Sequence, residues 1–131
     1  MDDRQRYEAG SGRRRAVLGN AHVDRAAGAA TPFTEEFQDL ITRYCWGEIW
    51  TRPGLDERTR RVLAIGTMVA LGRWAELRLH VGAALDHGGM TPEDVKEILL
   101  QQAIYCGVPT ANHAFSEVAA LLDAREPHRR P

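Results

Sequence analysis

The amino-acid sequence predicts an all-α fold, and three observations support that prediction. Apolar residues recur at spacings of three and four along most of the 131 residues, and capping residues or glycines bound these runs. No stretch has the features of a convincing strand. With 44% apolar and 27% charged residues, the chain has the composition of one small globular domain with a hydrophobic core.

Charge and hydropathy argue against two classes of protein. A formal charge of −1 gives no excess of cations for a phosphate backbone, which disfavours nucleic-acid binding. No run reaches the roughly 18 apolar residues of a membrane-spanning helix, and the first ten residues, MDDRQRYEAG, do not resemble a secretory signal. We therefore expect a cytoplasmic protein.

Residues 1–31 differ in composition from the rest of the chain. They are polar and rich in Gly, Ala and Arg, with one apolar patch at residues 16–18. This composition predicts an N-terminal arm that holds a short helix and needs a partner surface to become ordered. Residues 32–131 then form the helical domain.

The first two helices of that domain follow from their apolar spacing. Thr34 is the expected cap of a helix that ends near Gly47, and its apolar positions are Phe37, Leu40, Ile41, Tyr44 and Cys45. The chain breaks at residues 53–54, and a core helix then runs from Asp56 to just before Gly72.

Glycines and a capping motif delimit the remaining helices. The helix that opens at Arg73 should stop at Gly88 and Gly89, which we expect to adopt left-handed conformations. The next helix opens with Thr91 as cap, Pro92 at its first position and Asp94 three residues after the cap, and it ends at residue 107. A last amphipathic helix covers residues 110–125.

One polar stripe lies along an edge of the helix at residues 73–87. At about 100° per residue, Arg73, Glu76, His80 and His87 fall together beside the apolar arc. Glu76, four residues before His80, can hold one ring nitrogen, and Arg73 can pair with Glu76 or with an anionic ligand. The alternative is an ordinary ladder of surface charges.

Other polar residues have two interpretations each. Glu97 lies in a helix with apolar residues on nearly every side, so it is either at a solvated edge or in a pocket that raises its pKa. Tyr105 is either a core residue or a hydrogen-bond donor. His113 and Glu117 have the spacing of a surface pair. Two cysteines, without a CxxC motif, are expected to be buried reduced thiols.

Long runs of this sequence resemble the 4-carboxymuconolactone decarboxylase family. They are RPGLDERTRRVLAIGTMVALGRWAELRLHVGAALDHGGMTPEDVKEILLQQAIYCGVPTANHAF, RYEAGSGRRRAVLGNAHVDRA and FTEEFQDLITRYCWGEIW. The resemblance implies an AhpD-like helical bundle. Thiol peroxidase-type members of that superfamily carry a CxxC motif with a histidine four residues after its second cysteine. Arg73 and Glu76 stand at the two cysteine positions before His80, so that thiol chemistry is not expected here.

The resemblance implies a cofactor-independent carboxy-lyase. Its substrate would be 4-carboxymuconolactone, which loses CO2 to give 3-oxoadipate enol-lactone in the protocatechuate branch of the β-ketoadipate pathway. The electrons left behind pass into a dienolate that includes the lactone carbonyl, so we expect no metal and no organic cofactor.

This chemistry suggests a role for each candidate residue. His80 would deliver the proton, Glu76 would orient it, and Glu97 would share in proton relay. The substrate is a dianion whose acetate arm needs a cation, for which the candidates are Arg73, Arg58 and Arg60. Tyr105 would donate a hydrogen bond to the lactone carbonyl.

Two other functions stay open at this point, and an assembly is expected. The alternatives are an AhpD-like redox protein of the thiol peroxidase type and a non-catalytic helical binding module. The helix at residues 92–106 is apolar on nearly every face, which one small bundle cannot cover. We therefore expect a homo-oligomer, a trimer or a hexamer, in agreement with the resemblance.

Overall fold

The protein is all-α, as the sequence predicts. The computed structural model describes residues 1–125, which form seven α-helices and one π-helix and contain no strand. They belong to two compact units, one over Met1–Arg60 and one that begins at Arg61. In the part of the chain described, no helix is long and apolar enough to cross a membrane.

The first unit consists of four consecutive helical segments. They are α1 (Asp3–Leu18), α2 (Asn20–Gly28), α3 (Glu35–Ile41) and a π-helix (Thr42–Ile49). A capping box of Asp2 and Gln5 opens α1. The segment expected to be an arm thus contains two helices, and its apolar residues Val17 and Leu18 are buried within the chain.

The π-helix changes the expected end of the Thr34 helix. The segment does not stop near Gly47 but continues to Ile49 with one wider turn after another. The Thr42 hydroxyl donates to the Gln38 carbonyl at 2.7 Å, at the point where the α-helical pattern gives way. Thr34 is the N-cap residue without a side-chain capping bond. Its hydroxyl instead accepts from the Thr31 amide at 2.9 Å.

Two glycines allow α1 to pack directly on the π-helix. A Cβ added to Gly10 would overlap the Thr42 carbonyl oxygen and lie 2.8 Å from the Gly47 amide nitrogen. A Cβ added to Gly47 would overlap the Arg6 carbonyl oxygen. The two backbones therefore meet with no side chain between them.

The second unit is built from most of α4 (Glu57–Leu71), with α5 (Trp74–His87), α6 (Pro92–Cys106) and α7 (Val108–Arg125). Their apolar faces form one continuous core. Its most deeply buried members are Ile65, Val69, Leu77, Val81, Ala84, Val95, Leu99 and Ala114.

The predicted boundaries of α4, α5 and α6 hold to within one residue, whereas α7 begins at Val108 and not at residue 110 as predicted. Thr91 and Asp94 form the expected capping box on α6. Gly89 has a φ of +66°, as expected, but the left-handed conformation predicted for Gly88 is wrong, because its φ is −103°. Gly88 instead leaves room for the side chain of the buried Arg61, because a Cβ at this position would lie only 2.6 Å from Nε of that arginine.

Helices α5 and α7 run parallel and are joined by polar pairs. Trp74 stacks on His113 with 4.1 Å between ring centroids. One turn further along both helices, Arg78 pairs with Glu117. The same order of partners on both helices places their N-terminal ends at the same end of the second unit.

Candidate active site

Helix α5 presents two different polar edges. Arg78 lies on the edge that faces α7. Glu76 and His80 lie on the opposite edge, because 100° per residue turns them more than a third of a circle from Arg78. His80 is half-buried and its Nδ1 atom is buried, whereas Glu76, one turn earlier, is exposed. The stripe predicted from the sequence therefore places a partly desolvated imidazole near an exposed carboxylate.

Arg73 and Tyr105 lie at one end of the second unit. Arg73 is the exposed N-cap residue of α5. Tyr105 is in the last turn of α6 with 78% of its surface exposed, so its core interpretation is wrong. Because α7 follows after Gly107 and begins beside the start of α5, both side chains are at the end where α5 and α7 begin.

Glu97 and His80 lie farther from that end. Glu97 is eight residues before Tyr105 on α6, a distance of about 12 Å along the helix. His80 is seven residues after Arg73 on α5, about 10 Å along its axis. Glu97 is exposed, which agrees with its interpretation as a residue at a solvated edge. The candidates of this unit thus fall at two levels.

The two remaining candidates, Arg58 and Arg60, belong to the first unit. Arg58 is exposed in the first turn of α4. Arg60 is half-buried, and its guanidinium donates to the Arg52 carbonyl oxygen at 3.1 Å. Part of the hydrogen-bonding capacity of Arg60 is therefore already used within the chain.

Sequence reasoning missed one buried cation and the aromatic contact of one histidine. Arg61 is 1% exposed, although charged residues are seldom buried this deeply. Arg61 precedes Ile65 and Val69 by four and eight residues, which places it on their buried face. This spacing is the sequence signal that could have predicted its burial. The side chain of His113 is 51% exposed, as predicted, but its stack on Trp74 depends on long-range packing.

The α5–α7 edge has a defined charge state. The Nε2 atom of His113 lies 3.3 Å from a Glu117 carboxylate oxygen. Hydrogen bonds from Arg78 and His113 lower the pKa of the Glu117 carboxyl group. Glu117 is therefore an ionised partner of Arg78 and His113 rather than a proton donor near neutral pH.

No metal-binding cluster of three His, Cys, Asp or Glu side chains occurs within residues 1–125. Cys45 and Cys106 are free and half-buried rather than fully buried. Burial raises the pKa of the Cys45 thiol, and the nearby Arg14 opposes this effect. A raised pKa disfavours the reactive thiolate.

Comparisons with known proteins agree with the resemblance described above. Residues 35–120 match the model of the carboxymuconolactone decarboxylase family. The 4-carboxymuconolactone decarboxylase of Acinetobacter baylyi is 42% identical over 88% of this chain and 85% of its own. The nitrosuccinic acid decarboxylase npaB of Metarhizium robertsii is 40% identical over 86% of this chain and 78% of its own. A 4-carboxymuconolactone decarboxylase sequence from Pseudomonas putida is 54% identical over 37% of this chain and its own full length. This chain belongs to the carboxymuconolactone decarboxylase family.

Proposed function

We propose that this protein decarboxylates 4-carboxymuconolactone to 3-oxoadipate enol-lactone and CO2. The observation that carries the proposal is the 42% identity, over 88% of the chain, to the 4-carboxymuconolactone decarboxylase of Acinetobacter baylyi. The half-buried His80 supports it, because an imidazole can give or take a proton near neutral pH. The reaction would take place in the protocatechuate branch of aromatic breakdown, in the cytoplasm.

The reaction requires the protein to stabilise a developing negative charge and to deliver a proton. Loss of CO2 leaves an electron pair that spreads through the C=C bond onto the lactone oxygen, where charge has to be stabilised. A proton then has to reach carbon to complete the enol-lactone. The substrate's own conjugated carbonyl accepts the electrons, so these two tasks can be performed by side chains alone.

In this proposal His80 delivers the proton. Its Nδ1 side is buried, which limits the orientations of the ring. Glu76 lies one turn before it on the same edge of α5 and orients the ring. Glu97, which is exposed on α6, shares in the proton relay.

Arg73 is the preferred clamp for the acetate arm of the substrate. It is exposed at the start of α5, where the helix dipole also favours an anion. Tyr105 lies at the same end of the unit and offers its hydroxyl to the lactone carbonyl. Arg58 and Arg60 remain alternative clamps, and Arg60 is the weaker one because it already donates to Arg52.

A second candidate substrate is nitrosuccinic acid. It is favoured by the 40% identity to the nitrosuccinic acid decarboxylase npaB over 86% of this chain. Both compounds carry a carboxymethyl arm and lose a carboxylate whose electrons flow into an oxygen-bearing acceptor, either a conjugated lactone or a nitro group. One cation for the retained arm and one proton donor would serve both reactions.

The decisive experiment is an assay of the purified protein with each compound, following substrate loss and CO2 release. We expect turnover of the lactone to exceed that of nitrosuccinate and to survive dialysis against EDTA. The same assay on a variant with Cys45→Ala and Cys106→Ala tests the redox alternative. Activity lost with the cysteines would favour redox chemistry, and no turnover of either compound would favour a binding module.

The protein is further proposed to act as a homo-oligomer. In the first unit Phe33, Phe37, Leu40 and Tyr44 recur at spacings of four, three and four, and each is exposed. In the second unit Ile104 and Val108 are 81% and 74% exposed. Apolar stripes of this kind are typical of surfaces that meet another subunit.

A further inference from the structure

The first unit contains a cavity that the proposed reaction does not use. It has a volume of about 180 Å³ and lies among α1, α2 and α3. One water molecule occupies about 30 Å³ in the liquid, so this space can hold one small organic molecule. Its apolar wall comes from Val23, Ala26, Ala27 and Ala30.

Arg14 supplies a cation to this cavity from α1. Both terminal nitrogens donate to the neutral Gln38 amide oxygen at 3.3 Å, and its Nε atom is buried without a hydrogen-bond partner. No carboxylate pairs with Arg14 within residues 1–125. The neighbouring Arg15 differs, because Asp24 neutralises it at 2.9 Å.

Two carboxylates reach the same cavity from the α3 side. Glu35 and Asp39 are four residues apart, so they lie on one face of α3. Neither is within ion-pair distance of an arginine in the described part of the chain. Arg14 and these acids therefore line one small space without pairing with each other.

Of the two arginines that line this cavity, Arg14 and Arg15, only Arg14 has no carboxylate partner within residues 1–125. Burial and the nearby Arg14 and Arg25 lower the pKa of His22, so His22 is mostly neutral at pH 7. A simple anion would be attracted to Arg14 and repelled by Asp39, and a simple cation would meet the reverse. A short molecule that carries one negative and one positive charge would be attracted to Arg14 and to Asp39 at the same time.

We infer that this cavity binds a small zwitterion of the free amino-acid class, with its carboxylate on Arg14 and its ammonium group on Asp39. Glu35, which is more exposed, adds a weaker attraction for the ammonium group. The alanine wall limits the ligand to a short carbon chain.

The test uses three probes of matched size: β-alanine, propionate and propylamine. Their binding to the full-length protein is followed by NMR chemical shifts at pH 7. We expect β-alanine to bind with a dissociation constant on the order of 1 mM, as is usual for so small a ligand, and at least ten-fold more tightly than either single-charge probe. Equal affinities for the three probes, or no saturable binding of β-alanine, would overturn the inference.

Variants assign the two ends of the ligand. Arg14→Gln should reduce β-alanine binding to the level of propylamine, and Asp39→Asn should reduce it to the level of propionate. Arg25→Gln and Glu36→Gln make the same charge changes at exposed positions outside the cavity and should leave binding unchanged.

A third variant guards against loss of folding. Ala26→Leu adds bulk to the apolar wall and keeps every charge, so it should abolish β-alanine binding while the rest of the spectrum stays folded. Undiminished binding in Ala26→Leu, or in both charge variants, would show that the ligand sits elsewhere and the assignment is wrong.

Discussion

At the scale of single residues, His80 is the position on which the proposed reaction depends most. Asparagine keeps a hydrogen-bonding edge of similar shape but cannot transfer a proton. His80→Asn should therefore lower kcat by about 10²-fold or more, with little change in thermal stability. His87→Asn, on the same stripe but exposed at the end of α5, is the control and should remain active. Near-normal turnover of His80→Asn would support the alternative that His80 belongs to an ordinary ladder of surface charges.

Arg73 should behave differently, because binding an arm that does not react affects KM more than kcat. Arg73→Ala is expected to raise KM several-fold more than it lowers kcat, measured by initial rates on the lactone. Added salt should weaken substrate binding by the wild-type protein, since Arg73 is exposed to screening. Arg58→Ala is the comparison, and a larger rise in KM there would favour Arg58 as the clamp.

Glu117 gives the α5–α7 pairing a dependence on pH. Its pKa is lowered in the folded protein, so it stabilises the fold above the ordinary glutamate pKa of about 4.3, and this contribution is lost as the pH falls through the lowered value. Glu117→Gln should lower Tm at pH 7, and its difference from wild type should shrink at acid pH, below the ordinary glutamate pKa. Glu93→Gln, in an exposed pair with Lys96, should change Tm little at either pH.

At the scale of elements, the contact between α1 and the π-helix allows a sharp test. Gly10→Ala would force α1 away from the Thr42 carbonyl, and we expect it to lower the free energy of unfolding by about 3 kcal/mol or more. A Cβ added to Gly12, on the same helix, would have no atom of another segment within 4 Å, so Gly12→Ala should raise stability by about 0.5–1 kcal/mol. Urea denaturation measures both, and equal effects would contradict the close approach.

The helices that the sequence predicted best are those whose ends are set by residues only a few positions away. Thr91 and Asp94 cap α6 through atoms three residues apart, so the motif is readable without the rest of the fold. The π-helix was missed because a helical wheel assumes 3.6 residues per turn, whereas this segment depends on α1 packing at Gly47. Of the two glycines expected to be left-handed after α5, Gly89 alone has a positive φ, and Gly88 keeps a φ of −103° as the C-cap residue.

At the scale of the whole molecule, the candidate site was only partly predictable. The stripe of Glu76 and His80 follows from spacing within one helix, and α5 preserves it. The position of Arg73 and Tyr105 at the same end of the second unit does not follow from spacing, because it depends on α7 running parallel to α5. Pairings between distant helices leave no periodic signal in the sequence.

Assembly is the prediction that belongs to this scale. Light scattering should give a mass of three or six subunits that does not change with protein concentration. Phe37→Glu or Ile104→Glu should reduce that mass and lower activity, because each places a charge in an exposed apolar stripe. Lys96→Glu, a change at an already charged surface position, should leave the mass unchanged. A fully active monomer at assay concentration would rule the assembly out.

The shared contact of Gly10 and Gly47 also constrains how this protein can change over generations. At each position a new side chain would meet the backbone of the other segment, and backbone atoms cannot be made smaller by a second mutation. No compensating substitution across the contact can therefore rescue the first one. Both codons should stay glycine in any descendant that keeps α1 packed on the π-helix, even where selection on the chemistry of the protein has been relaxed.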